Sequence, residues 1–145
     1  MNKLVDTPAA TLTGAEAVVE MLRAHGVEVI FGLCGDTSLP LYDALARLPH
    51  GMKHVLTRDE RHAAYMADGY ARFSGKIGLA TTTQGPGYTN ATTSLVLARL
   101  HRSPVLMLAG HASLRDPYNP QGMIDQHALA KLTAEATVKI DHPNN

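Results

Sequence analysis

Short apolar runs alternate with helical segments along the chain, and this alternation limits the possible folds more than any other feature of the sequence. Runs rich in β-branched and aliphatic residues predict strands at 27–32, 52–57, 76–82 and 104–109. Apolar residues at helical spacing predict a first helix that follows a capping box at Thr13 and ends at Gly26, and further helices at 38–48, 59–73 and 88–100. The pattern predicts a single α/β domain with a parallel sheet and helices on both faces.

The C-terminal part has a weaker pattern. Residues 111–121 contain two prolines and predict a surface loop, 122–132 predict a helix, and 137–141 predict a last short strand. We find no internal repeat and no second domain. At 145 residues the chain is long enough to bury a core without a metal or a disulfide.

Composition excludes several classes of protein. The chain has a formal net charge of zero, so it lacks the basic surface that attracts nucleic acid, and we expect no nucleic-acid partner. No apolar run approaches membrane-spanning length, and the single Cys34 fits a reducing compartment, so we expect a cytoplasmic protein with no membrane partner. No pair of His or Cys residues has metal-ligand spacing, so we expect no metal site.

Three loops follow predicted strand ends, at 32–36, 57–62 and 83–90. Two are rich in glycine and the third is charged. Because the carboxyl ends of parallel strands share one edge of the sheet, these loops converge, and ligands in such folds bind along that edge. Glycines there allow a ligand to approach the backbone closely. We therefore expect a ligand site at this edge.

A dinucleotide site is one interpretation of the segment Gly85 to Asn90. It fits poorly, because Asn90 stands where the third glycine of that motif belongs and the next strand ends without an acidic residue. A phosphate-binding loop of the Walker type is absent from the sequence.

Glu60 is the candidate acid/base residue, because it follows an apolar strand and begins a helix at the same edge. Spacing alone leaves open a solvated glutamate in the first turn of a helix. His111 and His127 lie near the edge and are candidates for substrate contact, with a solvated loop histidine as the alternative.

Three blocks of residues carry a resemblance to a known family. They are Phe31-Gly32-Leu33-Cys34-Gly35-Asp36, the segment from Arg58-Asp59-Glu60 to Gly69-Tyr70-Ala71-Arg72, and Gln84-Gly85-Pro86-Gly87-Tyr88-Thr89-Asn90. In order and spacing they resemble the N-terminal pyrimidine-binding (PYR) domain of thiamine-diphosphate-dependent enzymes of the acetolactate synthase and 2-oxo acid decarboxylase group. The resemblance covers the chain from about Thr11 to Pro143.

The resemblance implies roles for individual residues. Glu60 would hydrogen-bond the ring nitrogen N1′ of the aminopyrimidine of thiamine diphosphate and so take part in proton transfer. The pyrimidine pocket would be formed by Gly35, Pro86, Gly87 and Asn90. Substrate-side candidates are Gln84, His111, Gln121 and Gln126, with either Gln121 or Gln126 as the glutamine that faces the active site.

The sequence also departs from the family pattern. The first loop reads Cys34-Gly35-Asp36 where the family often has Pro-Gly-Gly, and Gln84 replaces the usual serine. Only His111 stands where pyruvate-decarboxylase-like members carry two histidines, which disfavours that subgroup.

The resemblance implies an incomplete site. Such enzymes hold the diphosphate and Mg²⁺ on a second domain, which this sequence lacks, so we expect a partner diphosphate-binding domain or subunit. We expect a homo-oligomer that decarboxylates or ligates a small 2-oxo acid, and no turnover by the isolated chain. The alternative is a non-catalytic domain or truncated fragment that assembles without activity. The expected organisation is a tail at 1–12, the pyrimidine-binding domain at 13–141 and the start of a linker at 142–145.

Overall fold

The computed structural model describes residues 11–111 and 124–140. In these ranges the elements are α1 (Gly14–Ala24), β1 (Val29–Gly32), a 3₁₀ turn (Asp36–Ser38), α2 (Leu39–Arg47), β2 (Lys53–Leu56), α3 (Glu60–Ser74), β3 (Gly78–Thr82), α4 (Pro86–Leu100), β4 (Val105–Ala109) and α5 (Gln126–Thr133). The predicted alternation of strands and helices is confirmed. The capping box is present, since Glu16 N–H donates to Thr13 Oγ1 and Thr13 N–H donates to Glu16 Oε2.

Two predictions for the C-terminal part need correction. The last strand is wrong: residues 137–140 form no strand, and residue 141 lies outside the described ranges. A β-branched pattern forms a strand only beside a ladder partner, whereas Val138 and Ile140 are exposed. Helix α5 begins at Gln126, because the Asp125 side chain accepts a hydrogen bond from Ala128 N–H and caps the helix there. The predicted loop lies outside the described ranges except for His111, as do residues 122 and 123.

The four strands form one parallel sheet in the order β2-β1-β3-β4. The chain moves outward from β1 to β2 and then returns past β1 to β3 and β4. Because right-handed crossovers in opposite directions lie on opposite faces, α2 covers one face and α3 covers the other. The point at which the direction reverses lies between β1 and β3, where doubly wound sheets bind their ligands.

Side chains of alternate strand residues form two cores, one on each face of the sheet. Ile30 and Leu79, which are paired in register, lie in the core that α1 and α2 cover. Phe31 and Ala80 lie in the other core, beneath α3. The predicted α/β domain with helices on both faces is therefore confirmed.

Candidate functional site

The crevice between the loops after β1 and β3 is the centre of the candidate site. The first loop carries Gly35, and the second carries Thr83 and the glycine turn from Gly85 to Gly87. Helix α3, which packs on α4, brings its N-terminal residue Glu60 to the same edge. The strand order thus brings together the three loops that the sequence predicts to converge.

Asp59 fixes the point at which α3 begins. Its carboxylate accepts a hydrogen bond from Arg61 N–H at 2.8 Å, which caps the helix. The Arg61 guanidinium makes two further hydrogen bonds to the same carboxylate, at 2.9 and 2.7 Å. The Arg61 side chain, followed by its backbone N–H, holds the pKa of Asp59 well below its usual range. Asp59 and Arg61 therefore form an ion pair at the start of α3.

The Glu60 carboxylate is half-buried and faces α4. Its Oε2 accepts a hydrogen bond of 3.1 Å from Asn90 Nδ2. A β-carbon built on Gly87 lies 3.2 Å from Glu60 Oε1, so this oxygen lies directly beside the turn. Among the described residues Oε1 accepts no hydrogen bond. The structure therefore brings together three of the sequence-predicted site residues: Glu60, Gly87 and Asn90.

Two of the glycines are required by close packing on Thr83. A β-carbon on Gly35 would lie 2.6 Å from Thr83 Cβ, and one on Gly87 would lie 2.6 Å from Thr83 Cγ2. Gly85, which precedes Pro86, has φ 58° and ψ −115°, a conformation that glycine adopts readily. The turn therefore requires glycine for both space and backbone conformation. Sequence reasoning did not identify Thr83, and the only available signal was a hydroxyl residue between a strand end and a glycine turn.

Gln126 holds the glycine turn from the side of β4. Its Oε1 accepts a hydrogen bond of 3.0 Å from Gly85 N–H, and its Nε2 donates one of 3.0 Å to the Gly110 carbonyl. Both ends of this buried amide therefore contact the backbone at the carboxyl edge. The alternative candidate, Gln121, lies outside the described residues.

The remaining candidates are more scattered. Gln84 is only 1% exposed, and within the described residues its side-chain amide has no hydrogen-bond partner. His111 is exposed just beyond β4, and His127 is half-buried on α5. Pro86 is exposed at the start of α4. Two separate hydrogen bonds, from Asn90 to Glu60 and from Gly85 N–H to Gln126, involve none of these four side chains.

The described ranges contain neither a candidate metal-binding group nor a candidate membrane-spanning helix. In 11–111 and 124–140, no three His, Cys, Asp or Glu side chains are grouped so that they could hold a metal ion. Over the same ranges, no helix has the length and apolar character needed to cross a bilayer.

Comparison with known proteins gives consistent matches. The family model described as "Thiamine pyrophosphate enzyme, N-terminal TPP binding domain" matches residues 12–130. An acetolactate synthase of Arthrospira platensis is 48% identical over 101 residues, covering 68% of this chain and 17% of the relative. The acetolactate synthase large subunit of Haemophilus influenzae is 46% identical over 99 residues, which cover 68% of this chain and 17% of that relative. A probable acetolactate synthase large subunit of Methanocaldococcus jannaschii is also 46% identical over 99 residues, which cover 68% of this chain and 16% of that relative.

The fold and the site define a doubly wound α/β ligand-binding domain with an acidic residue and a glycine turn at its switch point. The chain belongs to the family of N-terminal TPP-binding domains of thiamine pyrophosphate enzymes, and it is related to acetolactate synthase large subunits. The resemblance inferred from the sequence is thereby confirmed. The chain spans only about a sixth of the length of these relatives.

Proposed function

We propose that residues 13–141 form the pyrimidine-binding half of a thiamine-diphosphate-dependent enzyme that acts on a small 2-oxo acid. The proposed reaction is decarboxylation followed by carboligation, as in the acetolactate synthases to which the chain is related. The observation that carries the proposal is the position of Glu60, whose carboxylate lies against the Gly87 turn and is oriented by Asn90.

The residues present fit an aminopyrimidine ring. Gly35 and Gly87 both pack closely on Thr83, so the two loops form one compact wall beside Glu60 Oε1. Asn90 occupies Glu60 Oε2, which leaves Oε1 to share a proton with a ring nitrogen. When bound, thiamine diphosphate supplies a carbon nucleophile and an electron sink for the 2-oxo acid. The part played by this chain is to orient the ring and to hold that one proton at Glu60 Oε1.

The rest of the site comes from outside these residues in this proposal. A diphosphate-binding domain or subunit would hold the diphosphate with Mg²⁺, and the isolated chain would have no turnover. Apolar side chains support assembly with another copy, since Phe73 on α3 is 95% exposed and Leu100 on α4 is 74% exposed. The proposed location is the cytoplasm.

The test uses this chain reconstituted with a diphosphate-binding domain from a related acetolactate synthase. Hydrogen–deuterium exchange at C2 of bound thiamine diphosphate is followed by NMR. We expect Glu60→Gln to slow this exchange by roughly 10²-fold or more, because the glutamine cannot share its proton in the same way. Glu20→Gln, at a half-buried position on α1 where the carboxylate pairs with Arg23, is the matched control and should exchange like the parent.

Unchanged exchange in an intact complex of the Glu60→Gln variant would overturn the catalytic role. The alternative function, a non-catalytic domain that assembles with partner chains, predicts that result. Saturable binding of NAD by the isolated chain would instead support a dinucleotide module, and we expect none.

A further inference from the structure

We propose that Asp36, Thr37 and Thr83 are positioning residues that fix the width of the crevice between β1 and β3. We call these three residues the switch-point latch. They tie the loop after β1 to the loop after β3 and so hold Gly87 beside Glu60. The geometry of the latch stands by itself, whereas its effect on a cofactor rests on the proposed function.

Side-chain hydrogen bonds join the two loops directly. Thr83 Oγ1 donates to Asp36 Oδ1 at 3.0 Å and lies 2.8 Å from Thr37 Oγ1. Gln84 N–H donates to Thr37 Oγ1 at 3.1 Å, and Thr37 N–H donates to Asp36 Oδ1 at 2.7 Å. Every bond except the last crosses from one loop to the other, so the crevice cannot widen without breaking three of them.

The order of the protons follows from these contacts. A hydroxyl group has one proton, and that of Thr83 is committed to the Asp36 carboxylate. The proton between the two threonines must therefore come from Thr37, whose oxygen in turn accepts from Gln84 N–H. The result is a series of hydrogen bonds that all donate in one direction, from the Gln84 N–H through the hydroxyl groups of Thr37 and Thr83 to the Asp36 carboxylate. Bonds in such a chain polarise one another, and the terminal bond to a charged group is the strongest kind.

The two hydrogen bonds of its hydroxyl group hold the Thr83 side chain in one orientation. With its hydroxyl group held by Asp36 and Thr37, its methyl group points at Gly87, 2.6 Å from the position that a β-carbon there would occupy. Its β-carbon is similarly close to Gly35. Thr83 is thus packed between the two glycines that flank the crevice, and a rotation of its side chain would move the Gly87 turn relative to Glu60.

Asp36 is the last acceptor of this hydrogen-bond series, so the link from Thr83 to the first loop depends on the Asp36 carboxylate. The role is one of positioning, because these residues act on the site through Gly87.

The test compares two variants of the full chain by NMR. Thr83→Val keeps the shape and the methyl group but loses both hydroxyl bonds, whereas Thr83→Ser keeps the hydroxyl group and loses the methyl group. In Thr83→Val we expect amide hydrogen exchange at Gln84 to be about tenfold faster, since the loss of one net hydrogen bond corresponds to roughly that factor. We also expect the side-chain NH₂ signals of Asn90 to move. Thr83→Ser should stay within about threefold of the parent exchange rate, because its hydroxyl bonds remain, and its Asn90 signals should move less than those of Thr83→Val.

The remaining outcomes overturn the proposal. A larger effect of Thr83→Ser than of Thr83→Val would mean that Thr83 acts only by filling space. Equal effects would mean that the hydroxyl bonds do not set the crevice width, and no effect of Thr83→Val would mean that the loops are held elsewhere. Faster Gln84 exchange with unmoved Asn90 signals would refute the positioning role. Should Thr83→Val fail to fold, Asp36→Ala gives the same test at an exposed position, with the same displacement of the Asn90 signals expected and its absence refuting the latch.

Addition of thiamine diphosphate to the parent chain reconstituted with a diphosphate-binding domain separates the two proposals. Shifts at the Gly35 and Gly87 amides support the proposed function. The absence of such shifts would count against that function, whereas the latch is decided by the exchange rates and the Asn90 signals, which need no cofactor.

Discussion

Replacement of Gly87 by alanine is the sharpest single test of the glycine turn. The added β-carbon would lie 2.6 Å from Thr83 Cγ2 and 3.2 Å from Glu60 Oε1. The Thr83 methyl group must retreat by about 0.8 Å to reach an ordinary contact distance. It cannot rotate away without breaking the hydroxyl bonds to Asp36 and Thr37.

The size of the effect follows from two opposing terms. Overpacking in a close contact costs about 1–3 kcal/mol. Alanine in a helix gains up to about 1 kcal/mol over glycine, and Gly87 lies in the first turn of α4. Gly69 provides the matched control, since it lies inside α3 and a β-carbon there meets nothing within 4 Å. Gly69→Ala should therefore show the helical gain without the clash.

The assay is urea unfolding of the two variants and the parent. We expect Gly87→Ala to be less stable than Gly69→Ala by about 2 kcal/mol, or roughly 4–8 °C in Tm for a chain of this size. Gly87→Ala should also lose thiamine diphosphate binding in the reconstituted complex, because its β-carbon narrows the crevice at Glu60. If Gly87→Ala proves as stable as Gly69→Ala, the tight contact with Thr83 does not exist in solution and the account of the turn fails.

Three further predictions concern other contacts of the domain. Gln126→Leu removes the acceptor for Gly85 N–H, and we expect a loss of about 1–3 kcal/mol in urea unfolding. Tyr42→Phe leaves the hydroxyl group of Thr81 without its 2.9 Å partner in a residue that is only 1% exposed, and calorimetry should show a lower Tm. The pKa of Asp59 is lowered in the folded chain, so its capping contribution is complete above the unfolded value near 4 and is lost as pH falls through the lower folded value. Stability measured against pH should therefore fall on acidification in the parent and depend less on pH over that range in the Asp59→Asn variant.

The sheet was predictable because the sequences of its strands are recognisable as short apolar runs. Parallel strands covered on both faces read as continuous apolar runs, and β3 is buried along its whole length. The start of β1 was predicted two residues too early, at Val27 and not at Val29. Val27 is not part of the strand, because its N–H donates to the Leu22 carbonyl at the end of α1 and not to a neighbouring strand. The strand predicted at 137–141 was wrong because alternation alone supplies no partner.

The candidate site was predictable only in outline. The convergence of Glu60 with the glycine turn follows from the rule that parallel strands place their carboxyl ends at one edge. The bonds between Thr37 and Thr83 depend on loop rotamers, which leave no periodic signal in a sequence. The same holds for the Gln126 amide, which reaches Gly85 from a helix 41 residues further along the chain.

Gly78, at the start of β3, has a consequence for the opposite end of the sheet. A β-carbon there would collide with the Ala67 carbonyl group, so α3 lies almost directly on the strand. Glu60 lies seven residues before Ala67, about 10 Å along the helix axis. Any side chain at position 78 would push the middle of α3 away from β3 and shift Glu60 relative to the Gly87 turn, so a substitution remote from the crevice would alter the candidate site.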